Sequence, residues 1–120
     1  MLPSTHYKPY QEFKQALIEM QESVAAAVEL EKPGLRDKFQ DLQQLFKNQI
    51  ATLSADDVSE TFVSRWQSIQ TEIYKQMRLL ETDVMLLHAS RTSATSLVRI
   101  SGLSDRLKTL IQYCEVLLQL

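Results

Sequence analysis

Turn-forming residues are scarce in this chain, with two glycines and three prolines among 120 residues. Pro3 and Pro9 lie near the start, Pro33-Gly34 separates two periodic stretches, and Gly102 falls late in the chain. That scarcity argues against a turn-rich sheet and for long helices. Cys114 is the sole cysteine, so no intramolecular disulfide can form. Its position in an apolar stripe reads as a small buried hydrophobe in a reducing compartment. Long apolar runs are missing too: Ala25-Ala26-Ala27-Val28 and Val84-Met85-Leu86-Leu87 fall far below the roughly 20 residues that span a bilayer. The start Met1-Leu2-Pro3-Ser4 carries neither the basic nor the apolar region of a secretory leader. The expectation is a soluble, unprocessed, cytoplasmic protein without membrane contact, folded as one domain over residues 1–120.

Chemistry is sparse as well. Two glycines cannot make a glycine-rich phosphate cradle, and no P-loop, dinucleotide-binding turn or nucleophile elbow is present. Neither His6 nor His88 has a glutamate three residues before it, as di-metal bundles require, and one cysteine with two distant histidines is a poor zinc set. A chain without catalytic residues, metal or cofactor is the expectation. The net charge of −2 offers no drive toward nucleic acid. Charge is nevertheless uneven: residues 1–60 carry 6 bases and 10 acids (−4), and residues 61–120 carry 7 bases and 5 acids (+2). Either the two halves face each other in the fold or the second half presents a partner-binding end.

What the chain has in quantity is helical periodicity. Phe62, Trp66, Ile69, Ile73, Met77, Leu80, Val84 and Leu87 recur every three or four residues and share one helix face. Around that stripe the spacing predicts helices over about 9–32, 34–53, 55–90 and 96–119, after an irregular 1–8. Pro9 suits a first helical position, Lys32 before Pro33 ends the first helix, and Ser54 with Asp56 and Asp57 reads as the start of the third. The third helix, longer than its neighbours, should then bend or project. The Ser/Thr-rich run before Leu97 and a phase shift in the apolar stripe place the last turn between 90 and 96, with Gly102 as the competing break. The fold class is all-α, an antiparallel up-down four-helix bundle with one long helix, although three-helix or dimeric packings use the same stripes. The expected core contains Phe13, Leu17, Leu42, Phe46, Trp66, Ile69, Ile73, Leu80, Leu107, Leu110 and Cys114.

Candidate interaction residues collect late in the chain. No acid stands between Asp83 and Asp105, and Arg99 and Arg106, a heptad apart, share a helix face. Arg91, Arg99 and Arg106 either pair with glutamates of the first helix or recognise an acidic partner segment. Tyr10, beside Pro9, either packs over the bundle end or anchors a partner. The run His88-Ala89-Ser90-Arg91-Thr92-Ser93 resembles the phosphorylated segment of histidine phosphotransfer domains, with Arg91 in the place of a cation. It departs from them where Thr92 replaces a glycine and Ser90 a leucine. That resemblance implies a signalling bundle with His88 as phosphoryl acceptor; the competing reading is a helix-end histidine at the negative dipole terminus.

Across nearly its full length the pattern also resembles the cyanobacterial heterocyst frequency control protein PatD family. The likeness rests on Tyr10-Gln11-Glu12-Phe13 entering a helix, on Arg91-Thr92 and Arg99, and on the ending Leu110-Ile111-Gln112-Tyr113-Cys114-Glu115. It implies a non-enzymatic regulator that binds the tubulin-like division protein FtsZ, modulates its filament assembly, and so links cell division to heterocyst differentiation. A homodimeric helical scaffold remains an alternative from another class.

Overall fold

In the computed structural model, residues 2–26 and 33–120 are described, and all regular structure among them is helical. The helices are α1 (Ser4–Ala26), α2 (Pro33–Leu45), α3 (Val63–Ala89) and α4 (Ser93–Leu118). The α1 start packs beside the α4 end, Phe13 of α1 meets Phe46 just after α2, and Arg36 of α2 lies beside the α3 end, so neighbours run antiparallel. The bundle closes as a ring of adjacent pairs, α1 with α2, α2 with α3, α3 with α4 and α4 with α1. It is a rod of 50 × 19 × 19 Å.

The first helix starts earlier than its Pro9 suggests. Pro3 precedes the helix, and its carbonyl accepts from the backbone N–H of His6 and Tyr7. Pro9 therefore lies inside α1 rather than at its first position. The carbonyl it leaves without an N–H is that of Thr5, an exposed residue that water can satisfy, so the break in the ladder is tolerated. With the start moved back, His6, Tyr10, Phe13, Leu17, Met20 and Val24 form one buried seam with alternating spacings of four and three. The expected end at Lys32 lies outside the described residues.

The second helix is shorter as an α-helix than the predicted 34–53. It loosens at Phe46–Ile50 into a π-helical turn, in which the Ala51 N–H reaches back to the Phe46 carbonyl at 2.8 Å. Leu42, Phe46 and Ile50 follow one another at intervals of four. In a regular α-helix such spacing drifts around the axis, whereas the wider turn keeps all three buried.

Ser54 does cap, accepting from the Asp56 N–H at 3.1 Å, but the structure it starts is a single 3-10 turn, Ala55–Asp57. Val58 is extended (φ −93°, ψ 136°) and the chain turns again at Ser59 before α3 begins. The expected helix over 55–90 is thus a helix over Val63–Ala89, and its 27 residues span about 40 Å. No projecting end is needed, because burial of Val58 folds the linking segment onto the core.

Within α3 the seam is Trp66, Gln70, Ile73, Met77, Leu80, Val84 and Leu87. Gln70 occupies the position assigned to Ile69, which is only half-buried; every other expected core residue is buried. The turn after α3 falls at Ser90–Thr92, inside the predicted window. Thr92 is the N-cap of α4, its Oγ1 accepting from the Thr95 N–H at 3.1 Å. Gly102, the competing break, lies within α4. The seam of α4 is buried from Leu103 through Leu117, whereas Leu97, which continues the same apolar spacing toward the start of the helix, is exposed.

Candidate interaction surface

The candidates named from the sequence fall into four environments. Arg106 lies half-buried on α4 and is committed to α3: its Nε donates to Asp83 Oδ2 at 2.9 Å and a terminal guanidinium nitrogen donates to Gln76 Oε1 at 3.0 Å. It pairs with the third helix, rather than with glutamates of the first, and its fork is occupied on two sides. Arg106 is therefore corrected from a docking residue to an α3–α4 clamp.

Tyr10 belongs to the interior. It is 0% exposed, so its expected role as a surface anchor is overturned. Its hydroxyl donates to Gln70 Oε1 and accepts from Trp66 Nε1 at 3.0 Å; the Gln70 amide then donates to the Ile50 carbonyl at 3.1 Å. This buried polar chain ties α1 to α3 and to the π-turn. Burial drives the phenol pKa upward, and the Trp66 hydrogen bond offsets part of that shift. Beside it lies His6, which is also fully buried. Its ring is 5.2 Å from the Trp66 ring and tilted by 54°. Burial lowers the imidazole pKa, while the Ser54 backbone and the charge of Asp57 act in the opposite direction. Cys114 is enclosed in the core, and burial pushes its thiol up to about 12.

Arg91 and Arg99 remain at the surface, near the α3–α4 turn. Four exposed apolar side chains fall in the same helix ends. Met85 (65% exposed) and Leu86 (38%) lie in the last turns of α3, and Leu97 (50%) and Val98 (68%) in the first turns of α4. The local reason is helical phase. Val84 and Leu87 take the inward positions of α3, which turns Met85 and Leu86 outward, and α4 reaches its first fully buried position only at Leu103. The sequence pointed to this end through its arginines and its lack of acids. The apolar part is hidden in the sequence because Leu97 falls in phase with the apolar spacing of α4 and yet is exposed.

His88 is half-buried and lines a groove of about 530 Å³ between α2 and α3, floored by Phe39 and Val84 and flanked by Arg36 and Glu81. Arg91, its expected partner in phosphoryl transfer, lies beyond the end of α3 and does not line that groove. Among the described residues no three His, Cys, Asp or Glu side chains converge into a metal-binding group, and no helix is long and apolar enough to cross a membrane. No family model, curated protein or solved structure matches the chain.

Proposed function

We propose that this protein is a non-enzymatic regulator that docks on an acidic protein surface through the end of the bundle carrying the α3–α4 turn. The observation behind this reading is the coincidence of exposed Met85, Leu86, Leu97 and Val98 with Arg91 and Arg99 along a stretch devoid of acids. Exposed apolar side chains supply burial energy on association, and the arginines select a partner of opposite charge. A symmetric contact between two copies would set these cations against each other, which favours an acidic partner over a homodimer.

The resemblance to the PatD family makes FtsZ the partner to test. Modulation of its filament assembly in the cytoplasm, with an effect on cell division and heterocyst frequency, is the proposed role. Tyr10 and Phe13, which carry part of that resemblance, are core residues. They support a common architecture, and the contact itself is assigned to the arginine end.

The test is sedimentation of assembled FtsZ with and without the protein, at low and at physiological salt. The expected result is co-sedimentation and an altered pelleted fraction at low salt, both weakened as the Debye length falls from about 30 Å at 0.01 M to about 8 Å at 0.15 M. Arg91→Glu with Arg99→Glu, both exposed positions, should abolish the effect while leaving helicity intact. Failure of the folded wild-type chain to bind FtsZ at low salt overturns the choice of partner. Undiminished binding by the double variant overturns the choice of surface.

A further inference from the structure

The N-terminal end of the bundle holds a group that neither the core nor the proposed docking surface requires. His6 is 0% exposed, and neither of its ring nitrogens makes a hydrogen bond of regular length and angle, the Ser54 backbone being near enough only to favour the charged ring. Buried polar atoms are nearly always well paired, so an imidazole without a regular partner calls for a physical role. The pocket it fills is aromatic, with Trp66 at 5.2 Å and Tyr10 at 6.5 Å between ring centroids, a setting that a phenylalanine would occupy without any orphaned atom. The connection of this turn to the rest of α1 is also weakened. Pro9 lies inside the helix and cannot donate to the Thr5 carbonyl, so the turn bearing His6 is joined to the remaining helix across a gap in the ladder.

We propose that His6 is an acid-responsive latch: while neutral it holds the first turn of α1 over Trp66, and on protonation it releases that turn about Pro9. The titratable groups facing it are few. Asp57 approaches from the 3-10 turn and favours the imidazolium, together with the Ser54 backbone. On α1 itself stands the Tyr10 phenol, which burial keeps neutral. α3 presents the indole of Trp66, which does not titrate. Among the described residues no charge of α4 acts on the ring. Burial outweighs the help from Ser54 and Asp57, so the closed state binds a proton less readily than the open one, whose imidazole has the ordinary value of 6.5. Closure is therefore fully favoured above 6.5 and is lost as pH falls below it. One proton is involved, so the opening equilibrium rises by at most about tenfold per pH unit.

Trp66 is the sole tryptophan and reports the event directly. Its emission and acrylamide quenching are followed from pH 8 to pH 5, with far-UV circular dichroism to check that the bundle persists. The expected result is a red shift and increased quenching at acid pH with most helicity kept. His6→Phe should leave Trp66 protected throughout. Asp57→Asn should move the transition to higher pH, because loss of the carboxylate lowers the proton affinity of the closed state further. In parallel, the His6 C2–H resonance of the unmodified chain, assigned with the help of His88→Gln, should titrate together with the Trp66 change. The latch is overturned by a Trp66 that stays protected at pH 5, by a His6 resonance that titrates without any Trp66 change, by the same transition in His6→Phe, or by a shift to lower pH in Asp57→Asn.

Discussion

Tyr10→Phe removes one oxygen atom and keeps the ring that fills the core, which makes it a clean probe of the buried polar chain. In the folded protein that oxygen serves two partners, the Trp66 Nε1–H and Gln70 Oε1, on residues that are 4% and 7% exposed. Both groups would be left buried without a partner, at about 1–3 kcal/mol each. Some relaxation of the Gln70 amide, which keeps its bond to the Ile50 carbonyl, reduces the sum to about 2–4 kcal/mol. A chain of this size has about 5–15 kcal/mol in total, so the loss is large. With a urea m-value near 2 kcal/mol/M the midpoint should fall by roughly 1–2 M. Gln70→Leu deletes the acceptor of the Tyr10 hydroxyl, while the Ile50 carbonyl retains the Leu53 N–H at 3.2 Å. It should cost about 1–3 kcal/mol. The double variant orphans fewer groups than the two single variants together, so the costs should fall short of additivity by about 1–2 kcal/mol. Urea unfolding followed at 222 nm avoids the direct effect of Tyr10 on Trp66 emission. A Tyr10→Phe variant within 0.5 kcal/mol of the parent, or strictly additive single and double variants, would refute the network as a source of stability.

Two further outcomes follow from the geometry. Arg106→Met should cost about 1 kcal/mol, the value of a partly exposed charge-assisted contact, and Asp83→Asn in the same background should add little, because the two share one interaction; a double-mutant cycle by urea unfolding measures this. Cys114, with its thiol pushed up to about 12 by burial, should react with a disulfide reagent at pH 8 only as fast as the chain unfolds, and at the rate of an ordinary thiol once urea has unfolded it.

How far the sequence revealed this structure depended on whether seam positions are apolar. From Ile73 to Leu87 the seam contains only hydrophobic residues, and the α3 periodicity was plain. At His6, Tyr10 and Gln70 the same heptad spacing is carried by polar or amphipathic side chains, so apolar spacing alone starts the first helix at Pro9 and favours Ile69 over Gln70. The Ser54 cap was legible, but a cap announces the start of a turn and does not fix how far it propagates; here burial of Val58 in extended form stops it after Asp57. The π-turn at Phe46–Ile50 has no signature beyond two intervals of four. Arg106 could be recognised as a cation on α4, yet its partner Asp83 became evident only when α3 and α4 were laid side by side.

Gln70 also limits which misfolded neighbours the chain can form. A heptad seam repeats, so a two-turn slip of α1 relative to α3, which faces it diagonally across the core, would still leave most apolar residues among apolar residues. The side chain of Gln70 removes that degeneracy. In the native alignment its oxygen meets the Tyr10 hydroxyl and its amide meets the Ile50 carbonyl. A slip that sets Tyr10 opposite Val63 sets Leu17 opposite Gln70, whose amide would then be buried among methyl groups with nothing to bond. One glutamine thus sets the correct alignment apart from such a shifted copy by the desolvation energy of an amide.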